Sequence, residues 1–98
     1  MIVLEKEVVI NWKEKEEKVI LRRAKWGDLR EAMKKSIVDR GGVQMVDNLL
    51  KEEWEICLTI TQAPFPLTPQ SLHELDWIDG DAIQKAYLEI NNVKKNKN

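Results

Sequence analysis

The stretch VQMVDNLLKEEWEICLTITQ, residues 43–62, carries the longest apolar repeat at helical spacing in the chain. Val46, Leu49, Leu50, Trp54, Cys57, Leu58 and Thr61 follow i, i+3 and i+4 steps and so share one stripe. Lys51, Glu52, Glu53 and Glu55 fall mostly on the opposite side. The pattern predicts a central helix over 43–62, long enough to span most of a small domain. Trp54, Leu50 and Leu58 are expected in its core.

Around this stretch, 98 residues suffice for one domain with one modest core. That domain is expected over 1–93, because the closing Asn- and Lys-rich residues carry no apolar stripe and residues 94–98 should fray. Four Trp are many for this length and are expected to fill much of the core. The 16 basic and 17 acidic residues nearly cancel, which provides no general field for nucleic acid. Lys and Glu enrichment with a single Cys follows the trend of thermophile proteins. One Cys cannot form an internal disulfide, and Cys57 within the apolar stripe reads as a buried thiol in a reducing compartment. The first residues meet a charge at Glu5 and lack a signal-peptide apolar region, and no run is long enough to span a bilayer. A soluble, cytoplasmic protein without membrane contact is expected.

Ile2, Leu4, Val8, Ile10 and Trp12 alternate as in a strand with one buried face, and Val19-Ile20-Leu21 forms a second β-branched run. The wholly charged residues 13–18 between them lack the glycine signal of a two-residue turn, so the expected hairpin has strands that run on into a charged, solvent-exposed tip. Arg22, Arg23 and Lys25 could contact phosphate, but acids nearby make a solvated strand end the better reading. Leu29, Ala32, Met33 and Ile37 predict a short helix, with Asp28 and Glu31 near its start and Lys34 and Lys35 near its end, as the helix dipole favours. Gly41-Gly42 is expected to terminate it. All three prolines lie in 63–69 and must stop the central helix near Gln62. Thr68-Pro69 opens a short helix to about Leu75. Asp76 caps a last helix whose stripe is Ile78, Ala82, Ile83, Ala86, Tyr87 and Ile90.

No catalytic, cofactor or metal constellation emerges. Asp76, Asp79 and Asp81 with Gly80 miss the calcium-loop spacing, because Ile78 and Gly80 fall where ligands are needed. His73 is the sole histidine, and Cys57 inside an apolar stripe makes a poor nucleophile. The chain therefore reads as a non-enzymatic binding protein of α+β class, an N-terminal antiparallel β-hairpin packed on three to four helices. Phe65, Leu67 and Trp77, in or beside connector and cap segments, are the expected partner-binding side chains. The alternative is a small winged-helix-like nucleic-acid-binding regulator, with Gly41-Gly42 as the turn of a helix-turn-helix. Asp47, Glu52, Glu53 and Glu55 on the helix that would enter the groove argue against it.

The run Val19-Ile20-Leu21-Arg22-Arg23-Ala24-Lys25-Trp26-Gly27-Asp28-Leu29, taken with Leu67-Thr68-Pro69, Leu75-Asp76-Trp77 and Asp81-Ala82-Ile83, resembles the small tail assembly chaperones of tailed phages and prophages. Lys25 departs from the threonine cap common at that position. The resemblance implies a hairpin followed by helices, and a role in which the protein holds a long helical tape-measure protein soluble while the tail tube polymerises, in the host cytoplasm. The implied partner is thus a tape-measure or tail-tube type protein; self-association into a homo-oligomer stays open.

Overall fold

Alternating apolar residues at the start of the chain build a hairpin. A computed structural model describes residues 5–92; the expected strand members Ile2 and Leu4 and the tail 94–98 lie outside them. Strands β1 (Glu5–Trp12) and β2 (Lys15–Arg22) pair antiparallel, with Val8 opposite Val19 and Lys6 opposite Leu21. The strands run on into the charged segment as far as Trp12 and Lys15, leaving an exposed charged tip, and a two-residue turn closes it without a glycine: Lys13 and Glu14 both take positive φ, 52° and 66°. Two positive φ values define the type I′ turn, whose twist matches that of the flanking strands. The strand register forces this conformation on two non-glycine residues, and their charges stay in water.

Helix α1 (Trp26–Lys35) follows, then β3 (Ile37–Arg40) and β4 (Val43–Val46), which form a second hairpin. Gly41 and Gly42, at φ 63° and 85°, are its type I′ turn. The glycine pair thus joins two strands instead of ending a helix, and Ile37 belongs to a strand. Because this hairpin separates α1 from the next helix, the helix-turn-helix arrangement is not what the chain builds.

The central helix α2 is shorter than expected, Asn48–Thr59. Asp47 accepts hydrogen bonds from the N–H groups of Leu49 and Leu50 and so caps it, inside the stretch expected to be continuous helix. At its other end Ile60 turns extended, and β5 (Ile60–Gln62) joins the free edge of β2 to give the sheet order β1-β2-β5. Helix α3 (Pro69–His73) is capped by Thr68 and α4 (Trp77–Asn91) by Asp76, as expected. The protein is therefore α+β, its N-terminal hairpin packed against four helices. Among the described residues no helix is long and apolar enough to cross a membrane.

The core consists of Ile10, Val19, Leu21, Ile56, Ile60, Phe65, Ile83, Ala86 and Tyr87. No Trp is buried: Trp12 and Trp54 are half-covered, and Trp26 and Trp77 are exposed. The expected core residues Leu50, Trp54 and Leu58 are likewise half-buried. Spaced four apart, they form one line along α2, and Trp54 lies beneath the Lys35 ammonium of α1 at 4.7 Å. The line is covered only as far as a ten-residue partner helix allows. The sheet and α4 cover the other side of α2, around Ile56.

Arg22 and Asp28 key this assembly. The Arg22 guanidinium donates to both Asp28 oxygens, at 2.7 and 3.2 Å, and to the Leu58 carbonyl at 3.0 Å. Asp28 also accepts the Lys25 N–H at 2.8 Å, capping α1 although Lys25 itself offers no acceptor. Hydrogen bonding to Arg22, aided by that N–H, holds the Asp28 carboxyl below its usual range against the opposing effect of partial burial.

Two outcomes are expected. Replacing Lys13-Glu14 by Asn-Gly should stabilise the protein by about 1–2 kcal/mol in urea titrations, by relieving left-handed backbone at two non-glycine residues; an unchanged or lowered midpoint would contradict the turn. Because the folded-state pKa of Asp28 is depressed, its contribution is present above the unfolded value of about 3.9 and is lost as pH falls through the lower folded value. Asp28→Asn should therefore be less stable than the parent at neutral pH, with the difference shrinking as pH falls below about 4.

Candidate docking surface

The proline-rich connector determines the fate of the first two expected binding residues. Pro64 and Pro66 bracket Phe65 and bar regular structure, yet Phe65 turns inward and packs against Trp12 with ring centroids 5.4 Å apart. Phe65 is therefore core and not a partner contact: a benzyl group beside the open end of the β1–β2 face stabilises more by filling it than by facing water. Leu67, two residues on, remains exposed, and Thr68 then caps α3.

Trp77 is 77% exposed at the first position of α4. The buried stripe of that helix is Ile83, Ala86, Tyr87 and Ile90, and Trp77 lies more than a quarter-turn away from it. Ile78, expected on the stripe, is exposed as well. The inward position in this first turn belongs to Asp79, whose carboxylate accepts the Asn11 N–H at 3.1 Å and so tethers α4 to the outer edge of β1. Asn11, Asp76, Ile78 and Asp79 line an open groove of about 490 Å³ beside it.

A second exposed aromatic was not anticipated. Trp26, 73% exposed, opens α1, and its ring lies 6.0 Å from the Arg30 guanidinium. The hairpin β3–β4 adds exposed Ile37, Val43, Met45 and Val46, flanked by Leu49 at the start of α2 and Met33 near the end of α1. The signal for this arm was present as Gly41-Gly42 between two β-branched runs, a hairpin pattern that the helical stripe of 43–62 obscured.

Groups with potential chemistry are occupied structurally. Burial, with the nearby Glu53 charge, pushes the Cys57 thiol up to about 12, which keeps it protonated at neutral pH. His73 Nε2 pairs with Glu53 on the surface at 2.5 Å. Glu55, buried in α2, accepts from the Tyr87 hydroxyl at 2.5 Å and from Lys51 at 2.6 Å, and burial with that contact raises the Tyr87 pKa. Arg22 points at Asp28 and is committed to the protein's interior contacts rather than to a phosphate. Of the three expected binding residues, Leu67 and Trp77 reach the surface and Phe65 does not.

No family model matches the chain, and neither the curated proteins nor the solved structures include a significant match.

The burial order predicts a stability order. Phe65→Ala should cost about 3–5 kcal/mol, Trp54→Ala about 1–2 kcal/mol, since its side chain is only half-buried, and Trp77→Ala less than about 0.5 kcal/mol. Urea midpoints check this; a Trp77→Ala loss as large as that of Phe65→Ala would place Trp77 in the core.

Proposed function

We propose that the protein is a non-enzymatic binding protein of the tail assembly chaperone type, which shields a long amphipathic helical partner such as a tape-measure protein. One observation carries the reading: Trp26 and Trp77, each more than 70% exposed, stand with Ile78, Leu67 and Leu49 outside a core that is complete without them. Large apolar side chains on a small chain whose polar groups are otherwise well partnered mark interaction surface. Indole rings suit a helical partner, since they bury a wide apolar area with only two side-chain rotors to order. The Arg22-to-Asp28 segment and the Leu75-Asp76-Trp77 cap, which carry the resemblance to the phage proteins, support the same reading.

The test measures binding directly between this protein and a purified long amphipathic helical protein of the tape-measure type. Trp77→Ala should weaken it by more than about fivefold while leaving the melting temperature unchanged. Affinity should also hold as salt rises from about 0.1 M to about 1 M, because burial of apolar surface is not screened. Steep loss of binding with salt, together with equal loss from charge reversal at Arg23 and Lys25, would instead indicate a nucleic-acid ligand.

A further inference from the structure

The two sheets treat their edges differently. The outer edge of β1 lies under α4, where Asp79 takes the Asn11 N–H, and the opposite edge strand β5 is only three residues long. Strand β4, Val43-Gln44-Met45-Val46, is one residue longer and exposed at all four positions. It contains no charge and no proline, the devices by which edge strands avoid pairing with a copy of themselves, whereas β3 carries Asp39 and Arg40.

The backbone geometry specifies what this edge offers. The type I′ turn closes on Arg40 and Val43 as a hydrogen-bonded pair, and antiparallel alternation makes Val38 and Met45 the next such pair. The Asp47 N–H bonded to the Ser36 carbonyl at 2.9 Å continues the series. The N–H and C=O groups of Gln44 and Val46 therefore point away from β3, and among the described residues no strand pairs with them.

We propose that a second copy of this chain pairs antiparallel along β4 about a twofold axis through Met45, forming a continuous four-stranded sheet. In that register Gln44 exchanges both backbone hydrogen bonds with the partner subunit's Val46, and Val46 with the partner subunit's Gln44. Met45 then faces the partner subunit's Met45 as a closely spaced non-hydrogen-bonded pair. The register centred on Gln44 would need the outward N–H of Gly42, which is already donated to Asp39 Oδ1 at 2.9 Å. A copy is the fitting occupant for two further reasons. The edge meets itself without opposing charges, and exposed apolar side chains line both of its faces, Val43 and Met45 on one and Val46 on the other.

The test is mass by light scattering across micromolar concentrations, with three variants. Wild type should be dimeric, and Met45→Lys monomeric at every concentration, because it sets two ammonium groups face to face on a side chain already half in water. Under oxidation Met45→Cys should give a covalent dimer, since the paired Cα atoms lie within disulfide reach. Val43→Cys should give none, being offset by several residues from its own copy. A monomeric wild type, equal cross-linking at both cysteines, or dimers that persist in Met45→Lys would each overturn the pairing. So would protection of the Gln44 and Val46 amides by an added strand-forming peptide while the protein stays monomeric.

Discussion

Arg22 sits where the sheet hands the chain to the helices, and its bidentate bond to Asp28 determines how that corner is built. A guanidinium presents a rigid planar fork that a lysine ammonium cannot reproduce, so the pair sets direction as well as proximity. The same guanidinium takes the Leu58 carbonyl at the end of α2, and Asn91 at the end of α4 accepts the Ala24 N–H. Strand β2 and helices α1, α2 and α4 thus meet at one polar junction. The direction of α1 in turn sets where the β3–β4 arm emerges, because the arm's base is tied by the bond from Asp47 to Ser36.

The division of labour among apolar residues follows from this corner. Branched aliphatics with Phe65 and Tyr87 fill the space between sheet and α4, while the four indoles are half-covered or exposed. Trp12 packs its ring against Phe65 and Trp54 lies under the Lys35 ammonium, so both sit at the margin of the packed interior. The result is a small protein in which two of the four indoles, Trp26 and Trp77, face outward.

Buried polar chemistry is equally economical. Among the described residues no buried side-chain nitrogen or oxygen lacks a partner. Glu55, Tyr87 and Lys51 satisfy one another beneath the surface, and Thr59 bonds the carbonyls of Glu55 and Ile56 in its own helix. Such local satisfaction lets a helix carry polar groups into the interior without a ligand to complete them.

Local chemistry was readable in the amino acids themselves. Alternation gave the first hairpin, Thr68-Pro69 and Asp76 marked helix starts, and the stripe of Ile83, Ala86, Tyr87 and Ile90 named the buried face of α4, because capping and periodicity act within a few residues of chain. What lay beyond that reach was decided by tertiary structure. The stretch 43–62 has helical spacing throughout, yet only its middle is helix, since Gly41-Gly42 lets β4 pair with β3 and the open edge of β2 draws out β5. Phe65 and Trp77 have similar chemistry and similar neighbouring signals, but one found a space beside Trp12 and the other did not. Burial depends on which surfaces are left uncovered once every element is placed, and that is a property of the whole packing, not of any one stretch of chain.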